Sequence, residues 1–189
     1  MKEREQQMTH IKNKKLSYPE KEAYLYIRKQ FADQGITIKE MAREAKEDQD
    51  RHGAKASLKT YIKAIEHQLH KHDVMSIIMT GVVLDRLAEK DMLPSPLQTI
   101  IENDLGLYST DELLSIALTQ MYSGIAVTNY GARDVHKTKL AKRIDESKTR
   151  VNCFLDDIVS AIIAGSEAAV ANKLQENKAS FTDIDKKFE

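Results

Sequence analysis

The chain has 189 residues, of which 41% are hydrophobic, enough for one domain with a buried core. Lys plus Arg and Asp plus Glu number 29 each, so the net charge is zero and no dominant nucleic-acid or anionic-membrane footprint is expected. A single Cys excludes an intramolecular disulfide framework and a multi-Cys zinc site, and 6% aromatic residues with no Trp disfavour base-stacking platforms.

The N-terminal half predicts helices separated by polar segments. Residues 1–16 are charged, lack apolar periodicity and are expected to form a disordered leader. Neither a signal peptide nor a run of about 18–20 apolar residues occurs, so a cytoplasmic protein without a membrane span is predicted. Apolar spacing predicts helices that open near Pro19, Thr37 and Ser57, followed by a longer helix at about 73–90.

The second half contains the most apolar predicted helices. A short helix is expected at 97–103, and a helix at roughly 111–127 is apolar nearly all round, which is typical of burial on every side. Residues 129–131 are expected to end that helix. Residues 133–150 are basic and partly helical, and the last long helix is predicted at about 151–174.

These patterns predict an all-α single domain of about six helices, with one central buried helix surrounded by the others. The domain is expected to span residues 17–175, between the leader at 1–16 and a polar tail at 176–189. No strand pattern, internal repeat or low-complexity tract competes with this interpretation.

Asp156 and Asp157 are adjacent acids in the apolar segment VNCFLDDIVSAII. A buried ionised carboxylate costs several kcal/mol unless it is paired or bound to a metal. Adjacent helical residues point about 100° apart, so this pair can address two neighbouring sites or bridge two ions. A buried salt bridge, or a helix that begins at Asn152, would explain the acids without a site.

Asp111 and Glu112 open the helix predicted at 111–127. Ser109 and Glu112 have the spacing of a capping box, and acids in a first helical turn suit the helix dipole. Both acids therefore have a structural explanation, and alone they do not define a site.

Asp134 and Lys137 lie three residues apart in the segment TNYGARDVHKTK, to which Arg133 adds positive charge. A carboxylate beside an ammonium suits an ion plus a phosphate, because the acid holds the metal and the lysine neutralises the oxyanion. A solvated ion pair is the structural alternative.

Three acidic groups on predicted helices, two of them too apolar for the surface, together predict a cation site. Carboxylate ligands favour Mg²⁺ over zinc or copper. Asp85 lies on the core face of its helix and is expected to be an outer ligand or a hydrogen-bond partner. The predicted metal ligands are Asp111, Glu112, Asp134, Asp156 and Asp157.

Three segments carry a family resemblance: TGVVLDRLAEKDMLPSPLQTII, LYSTDELLSIALTQMYSGIAVTNYGARD and CFLDDIVSAIIAG. Over roughly residues 24–164 the chain resembles the phosphatidylglycerophosphatase A family, in particular its soluble Gram-positive branch. The resemblance implies an all-helical, oligomeric, Mg²⁺-dependent phosphatase that converts phosphatidylglycerophosphate to phosphatidylglycerol. The membrane-embedded relatives have apolar spans that this sequence lacks, so a soluble phosphomonoester is an alternative substrate.

The family's motifs fall on particular positions of this chain. Its acidic pair corresponds to Asp111 and Glu112, and its D-x-x-K motif corresponds to Asp134 and Lys137. Its Asp pair corresponds to Asp156 and Asp157, and its Thr-Gly corresponds to Thr80 and Gly81. After the lysine this chain has KTKL where membrane-embedded relatives have a K-P-W-P-type sequence. We expect catalytic roles for Asp134, Lys137, Asp156 and Asp157, and substrate contacts from Thr80, Asn129, Arg133 and Lys137.

Two non-catalytic functions are alternatives. Residues 36–45 and 57–65 resemble a helix-turn-helix, but their linker at 46–55 exceeds the usual turn of about 3–4 residues, and no nucleic-acid partner is expected. A helical oligomerisation domain would use the acids as inter-helix ion pairs and gain no stability from Mg²⁺. For the enzyme, the expected substrate is a phosphorylated lipid head group or a soluble phosphomonoester, and the chain is expected to associate with further copies of itself. The basic segment 133–150 could form a peripheral contact with the inner face of the membrane, or it could be a solvated helix flank.

Overall fold

The computed structural model describes residues 17–105 and 109–176, which form nine helices and no strand. The helices are α1 (Glu20–Asp33), α2 (Ile38–Arg51), α3 (Leu58–Leu69), α4 (His72–Ala88), α5 (Leu97–Glu102), α6 (Thr110–Gln120), α7 (Gly124–Val135), α8 (Lys139–Asp145) and α9 (Leu155–Glu176). The all-α single domain is confirmed, but the expected number of about six helices is too low. The leader predicted at 1–16, and residues 177–189 of the predicted tail, lie outside the described residues.

Two helices begin where side-chain caps are expected. The Thr37 hydroxyl accepts a hydrogen bond from the Glu40 backbone N–H at 3.1 Å and caps α2. The Ser57 hydroxyl accepts from the Thr60 backbone N–H at 3.2 Å and caps α3. Each hydroxyl satisfies one of the N–H groups that the first helical turn leaves without an intrahelical partner.

The central helix of the domain is α9. From Phe154 to Ala164 no side chain is more than 5% exposed. The helix packs against six others, namely α2, α3, α4, α6, α7 and α8. A central buried helix was predicted, and it is α9 instead of the helix at 111–127, for which burial on every side was expected.

The single helix predicted at 111–127 is wrong. It is interrupted after Gln120, and α7 begins at Gly124 under a cap from the Ser123 hydroxyl. Ser favours the cap position and Gly weakens a helix interior, so these two residues explain the interruption. Residues 129–131 therefore lie inside α7 instead of ending a helix.

Burial of that segment on every side is also wrong. Leu113 is 61% exposed and Ile125 is 45% exposed, so both α6 and α7 present apolar side chains to solvent. The apolar composition alone could not distinguish a buried helix from two helices that each keep one face outside.

A close approach between α4 and α9 sets the position of the central helix. A Cβ atom on Gly81 would lie 2.6 Å from Ile158 Cδ1 and 2.9 Å from Phe154 Cβ. These distances are shorter than van der Waals contact, so only Gly permits this packing. Gly81 thereby fixes the first turn of α9, which carries Asp156 and Asp157.

Candidate metal centre

Three carboxylates converge where α6 and α9 begin. One oxygen each from Asp111, Glu112 and Asp157 lies within 4.8 Å of the other two. Asp111 and Asp157 are buried, and Glu112 is half-buried. We call this group the acidic centre. Its acids occupy the first turns of two helices, where the positive ends of the helix dipoles favour negative charge.

The capping box that offered a structural explanation for Glu112 is absent. Ser109 is the residue before α6, but it has a left-handed backbone with φ of 55°, and its side chain makes no capping hydrogen bond. Helix capping therefore does not account for the acid at position 112.

Two oxygens of the acidic centre lack hydrogen-bond donors. Asp111 Oδ1 and Glu112 Oε2 are buried and receive no hydrogen bond from the described part of the chain. A buried carboxylate oxygen without a donor or a cation is costly, and native structures contain few of them. An all-oxygen set with unsatisfied acceptors fits a hard divalent cation.

The electrostatics of the acidic centre agree with this fit. Burial, followed by the nearby carboxyl of Glu112, raises the pKa of Asp111 to about 7. Burial, followed by the charges of Asp156 and Asp134, raises the pKa of Asp157 to about 9. Crowded carboxylates without a counter-charge bind protons, and a divalent cation supplies the charge that ionises them.

Lys137 stands beside the acidic centre with its ammonium between two acids. Its Nζ donates to Asp156 Oδ2 at 2.7 Å and to Asp145 Oδ1 at 2.8 Å. Burial lowers the pKa of Lys137, but the charge of Asp156 and the hydrogen bonds to Asp145 and Asp156 outweigh burial and raise it. Lys137 is therefore a fixed cation in the turn between α7 and α8.

Asp156 is paired, unlike the three acids of the acidic centre. Burial raises the pKa of Asp156 to about 6, and the charge of Lys137 limits that rise. The salt bridge considered as a structural explanation for the Asp pair is present for Asp156. Asp157, one residue later, joins the acidic centre instead.

Asp134 and Asp85 occupy different positions around α9. Asp134 is half-buried on α7, and its charge contributes to the raised pKa of Asp157, after burial and the charge of Asp156. Asp85 is fully buried and accepts the backbone N–H groups of Phe154 at 3.2 Å and Leu155 at 3.1 Å. Of the two roles considered for Asp85, the structure shows the hydrogen-bond partner.

Three of the predicted substrate contacts are engaged elsewhere. Arg133 is 5% exposed and pairs with Glu167, and the Asn129 amide donates to Glu167 at 3.0 Å. Thr80 is exposed, and its hydroxyl donates to the Ser76 carbonyl oxygen at 2.8 Å. The structure does not bring these side chains to the acidic centre, so their contact with substrate stays a prediction.

The sequence analysis did not predict three residues near the site, namely Asp104, Cys153 and Asp145. Asp104, Asp111 and Cys153 form a second group whose potential ligand atoms lie within 4.8 Å, and the Cys153 thiol donates to Asp111 Oδ2 at 3.6 Å. Cys153 precedes Asp157 by four residues, and in the helix predicted at 151–174 this spacing would have indicated one face, but α9 begins only at Leu155. No local signal links Asp145 to Lys137, because Asp145 is at the far end of α8, eight residues further along the chain.

The relatives share both sequence and fold with this chain. The uncharacterized protein YpjQ of Bacillus subtilis is 34% identical over 142 residues, covering 75% of this chain and 80% of YpjQ. Its crystal structure matches with a TM-score of 0.79 at 31% identity, over 84% of this chain and 99% of that one. The uncharacterized YutG of the same organism is 40% identical over 110 residues, which cover 58% of this chain and 66% of YutG.

A further structure and the family assignment agree with this likeness. The low temperature requirement C protein of Listeria monocytogenes matches with a TM-score of 0.77 at 33% identity, over 81% of this chain and 97% of that one. In the part of the chain that the structure describes, no helix is long and apolar enough to cross a bilayer. Residues 51–172 match phosphatidylglycerophosphatase A, a range that contains Lys137 and the whole acidic centre. The resemblance seen in the sequence is confirmed, and the chain belongs to the phosphatidylglycerophosphatase A family, which implies a phosphatase.

Proposed function

We propose that this protein is a Mg²⁺-dependent phosphatase that removes the terminal phosphate of phosphatidylglycerophosphate. The observation that carries the proposal is the acidic centre, with two buried oxygens that lack donors, beside the fixed ammonium of Lys137. The family supports the reaction class, and its name supports the lipid substrate.

Asp111, Glu112 and Asp157 would hold the cation. When bound, Mg²⁺ supplies the positive charge that neutralises phosphoryl oxygens and makes a coordinated water more acidic. The surrounding burial strengthens this electrostatic interaction, because a site that excludes water screens charge poorly.

We assign to Lys137 the neutralisation of charge on the equatorial oxygens of the transferring phosphoryl group. Asp145 and Asp156 hold its ammonium in place from two sides, so little reorganisation is required during the reaction. The P–O ester bond breaks, water supplies the new oxygen of the released phosphate, and the leaving alkoxide takes up a proton.

Asp134 is the acid that we assign to the proton of the attacking water. It is half-buried and has no ion pair among the described residues, unlike Asp156, which is committed to Lys137. The charge of Asp134 contributes to the raised pKa of Asp157, which supports this assignment, and Asp134 is not one of the three acids of the acidic centre.

Phosphate release tests the proposal. Purified protein is assayed with phosphatidylglycerophosphate in mixed micelles and with p-nitrophenyl phosphate, in Mg²⁺ and in EDTA. Turnover is expected in Mg²⁺ alone, and the ratio between the two substrates distinguishes a lipid enzyme from a general phosphomonoesterase.

A pair of variants links turnover to the acidic centre. Asp157→Asn is expected to abolish release, whereas Asp73→Asn, which changes an exposed acid on α4, retains it. Full Mg²⁺-dependent turnover of a folded Asp157→Asn protein, verified by circular dichroism, would rule out the proposed centre.

A further inference from the structure

A groove of about 500 Å³ lies on the surface where α3 and α9 meet and is lined by cationic side chains. Lys59, Lys63 and His67 face it at intervals of four residues along α3, and Lys173 faces it from α9. No acidic residue of the described chain lines it. The groove therefore concentrates positive charge on a protein whose net charge is zero.

The lysines of this groove lack the partners that other lysines have. Lys46 pairs with Asp50, and Lys142 pairs with Glu146 at 3.5 Å, each four residues apart on one helix. Among the described residues, Lys59, Lys63 and Lys173 form no ion pair. Like charges four residues apart weakly destabilise a helix, and an anion bound between Lys59 and Lys63 would relieve that repulsion.

The acid on α3 that could have balanced these lysines points elsewhere. Glu66 accepts a hydrogen bond from Arg28 at 3.1 Å and from the Tyr24 hydroxyl at 2.8 Å. These contacts connect α3 to α1, so that among the described residues no acid that lines the groove compensates its charge.

The shape and lining of the groove define the class of ligand. Its volume falls within the range of about 300–1,000 Å³ that is typical of small-molecule sites. Ala169, which is half-buried on α9, provides an apolar contact opposite Lys59 and Lys63, where a ring or aliphatic group can pack. Lysine binds phosphate as a point charge, and several lysines in one groove match a ligand with more than one phosphate charge.

We propose that this groove binds a soluble, phosphate-bearing organic anion of nucleotide size. The site is distinct from the acidic centre, because Lys173 lies about 24 Å along α9 from Asp157 at 1.5 Å per residue. The proposal does not depend on the phosphatase activity.

Calorimetric titration of the full chain with ATP, ADP and AMP tests the proposal. EDTA is present throughout, so that metal-dependent binding at the acidic centre does not contribute. Affinity is expected to fall from ATP to AMP and to weaken with added salt, because the contacts are between exposed charges.

The triple variant Lys59→Gln/Lys63→Gln/Lys173→Gln is expected to weaken ATP binding by about tenfold or more, the sum of three modest charge contacts. The matched control Lys21→Gln/Lys29→Gln/Lys90→Gln removes the same charge from exposed lysines outside the groove and is expected to bind like the parent.

Three results would overturn the proposal. They are no heat of binding at millimolar nucleotide, an equal loss of affinity in the control triple variant, and lysine-dependent binding to vesicles of anionic phospholipid without binding to nucleotide. None of these results bears on Mg²⁺-dependent phosphate release, so the two proposals fail separately.

Discussion

Two groups of buried acids lie along α9, and they differ in whether the fold satisfies them. Glu167 is fully buried but accepts hydrogen bonds from Arg133 and Asn129. Asp111 and Glu112, which meet α9 at Asp157, have buried oxygens without donors. Burial of an acid therefore does not by itself indicate a site, whereas a missing partner does.

The pKa values alone would not have separated these two groups. Burial raises the pKa of Glu167 to about 7, and Arg133 opposes that rise. The pKa of Asp111 is likewise about 7, chiefly through burial, but its neighbour Glu112 adds to the rise. The sign of the nearest charge distinguishes the structural acid from the acid that awaits a cation.

Removing Arg133, the cation that pairs with Glu167, should have the largest effect on stability. Arg133→Ala leaves Glu167 and Glu44, which lies 3.2 Å from Arg133, without their partner. We expect a loss of about 3–5 kcal/mol in the free energy of unfolding. Urea denaturation measures it, and Arg133→Lys should recover part of the loss.

A different outcome for Arg133 would change the comparison. If Arg133→Ala unfolds like the parent protein but loses phosphate release, the arginine serves the substrate, as the sequence predicted. Glu167 would then be the residue without an explanation.

The sequence predicted much of the acidic centre because its residues occupy local motifs. Asp111 with Glu112, and Asp157, each lie in one helical turn whose apolar context makes an acid conspicuous. The different contacts of Asp156 and Asp157 were not predictable, because the partner of Asp156 is Lys137, which lies in a turn 19 residues away. Spacing along one helix contains no information about that contact.

The role of Arg133 was unpredictable for the same reason. Its partners Glu44 and Glu167 lie on α2 and α9, with separations of 89 and 34 residues. The one available signal was the acid at 167 within a helix that is buried along most of its length. The break at Ser123 was locally predictable from Ser and Gly, but the surrounding apolar residues obscured it.

Substitution of Lys137 should have the next largest effect, which is a loss of turnover. Lys137→Met removes the cation that we assign to the phosphoryl oxygens, and turnover is expected to fall at least about a hundredfold. Phosphate release under saturating Mg²⁺ measures it. Lys139→Met, which changes an 89% exposed side chain two residues later, serves as the control and should retain activity.

If Lys137→Met releases phosphate at the rate of the parent protein, Lys137 has a structural role, as Arg133 has. Thermal unfolding of the same variant distinguishes the cases, since a purely structural lysine would lower the melting temperature without a matching loss of turnover in the folded protein.

Gly81 tests whether the position of α9 matters for the acidic centre. Gly81→Ala places a Cβ against Ile158 and Phe154, and we expect a loss of about 1–3 kcal/mol in the free energy of unfolding from overpacking. Gly124→Ala, where no atom lies within 4 Å of the new Cβ, is the control and is expected to be neutral or stabilising. Urea denaturation of both variants measures the difference, and equal stability would show that α4 can move away from α9 at little cost.

The smallest expected effect has the opposite sign. In EDTA, Asp157→Asn should raise the free energy of unfolding by about 1 kcal/mol, because Asp157, with a pKa raised to about 9, must take up a proton on folding and Asn need not. Mg²⁺ should stabilise the parent protein, by about 2.7 kcal/mol at 100 times the dissociation constant, and should leave the variant unchanged. Thermal unfolding with and without Mg²⁺ measures both quantities. The control Glu167→Gln should lower the free energy of unfolding in both solutions, because it weakens the ion pair with Arg133. If Asp157→Asn also lowers the free energy of unfolding in EDTA, the carboxylates of the acidic centre already have stabilising partners within the fold.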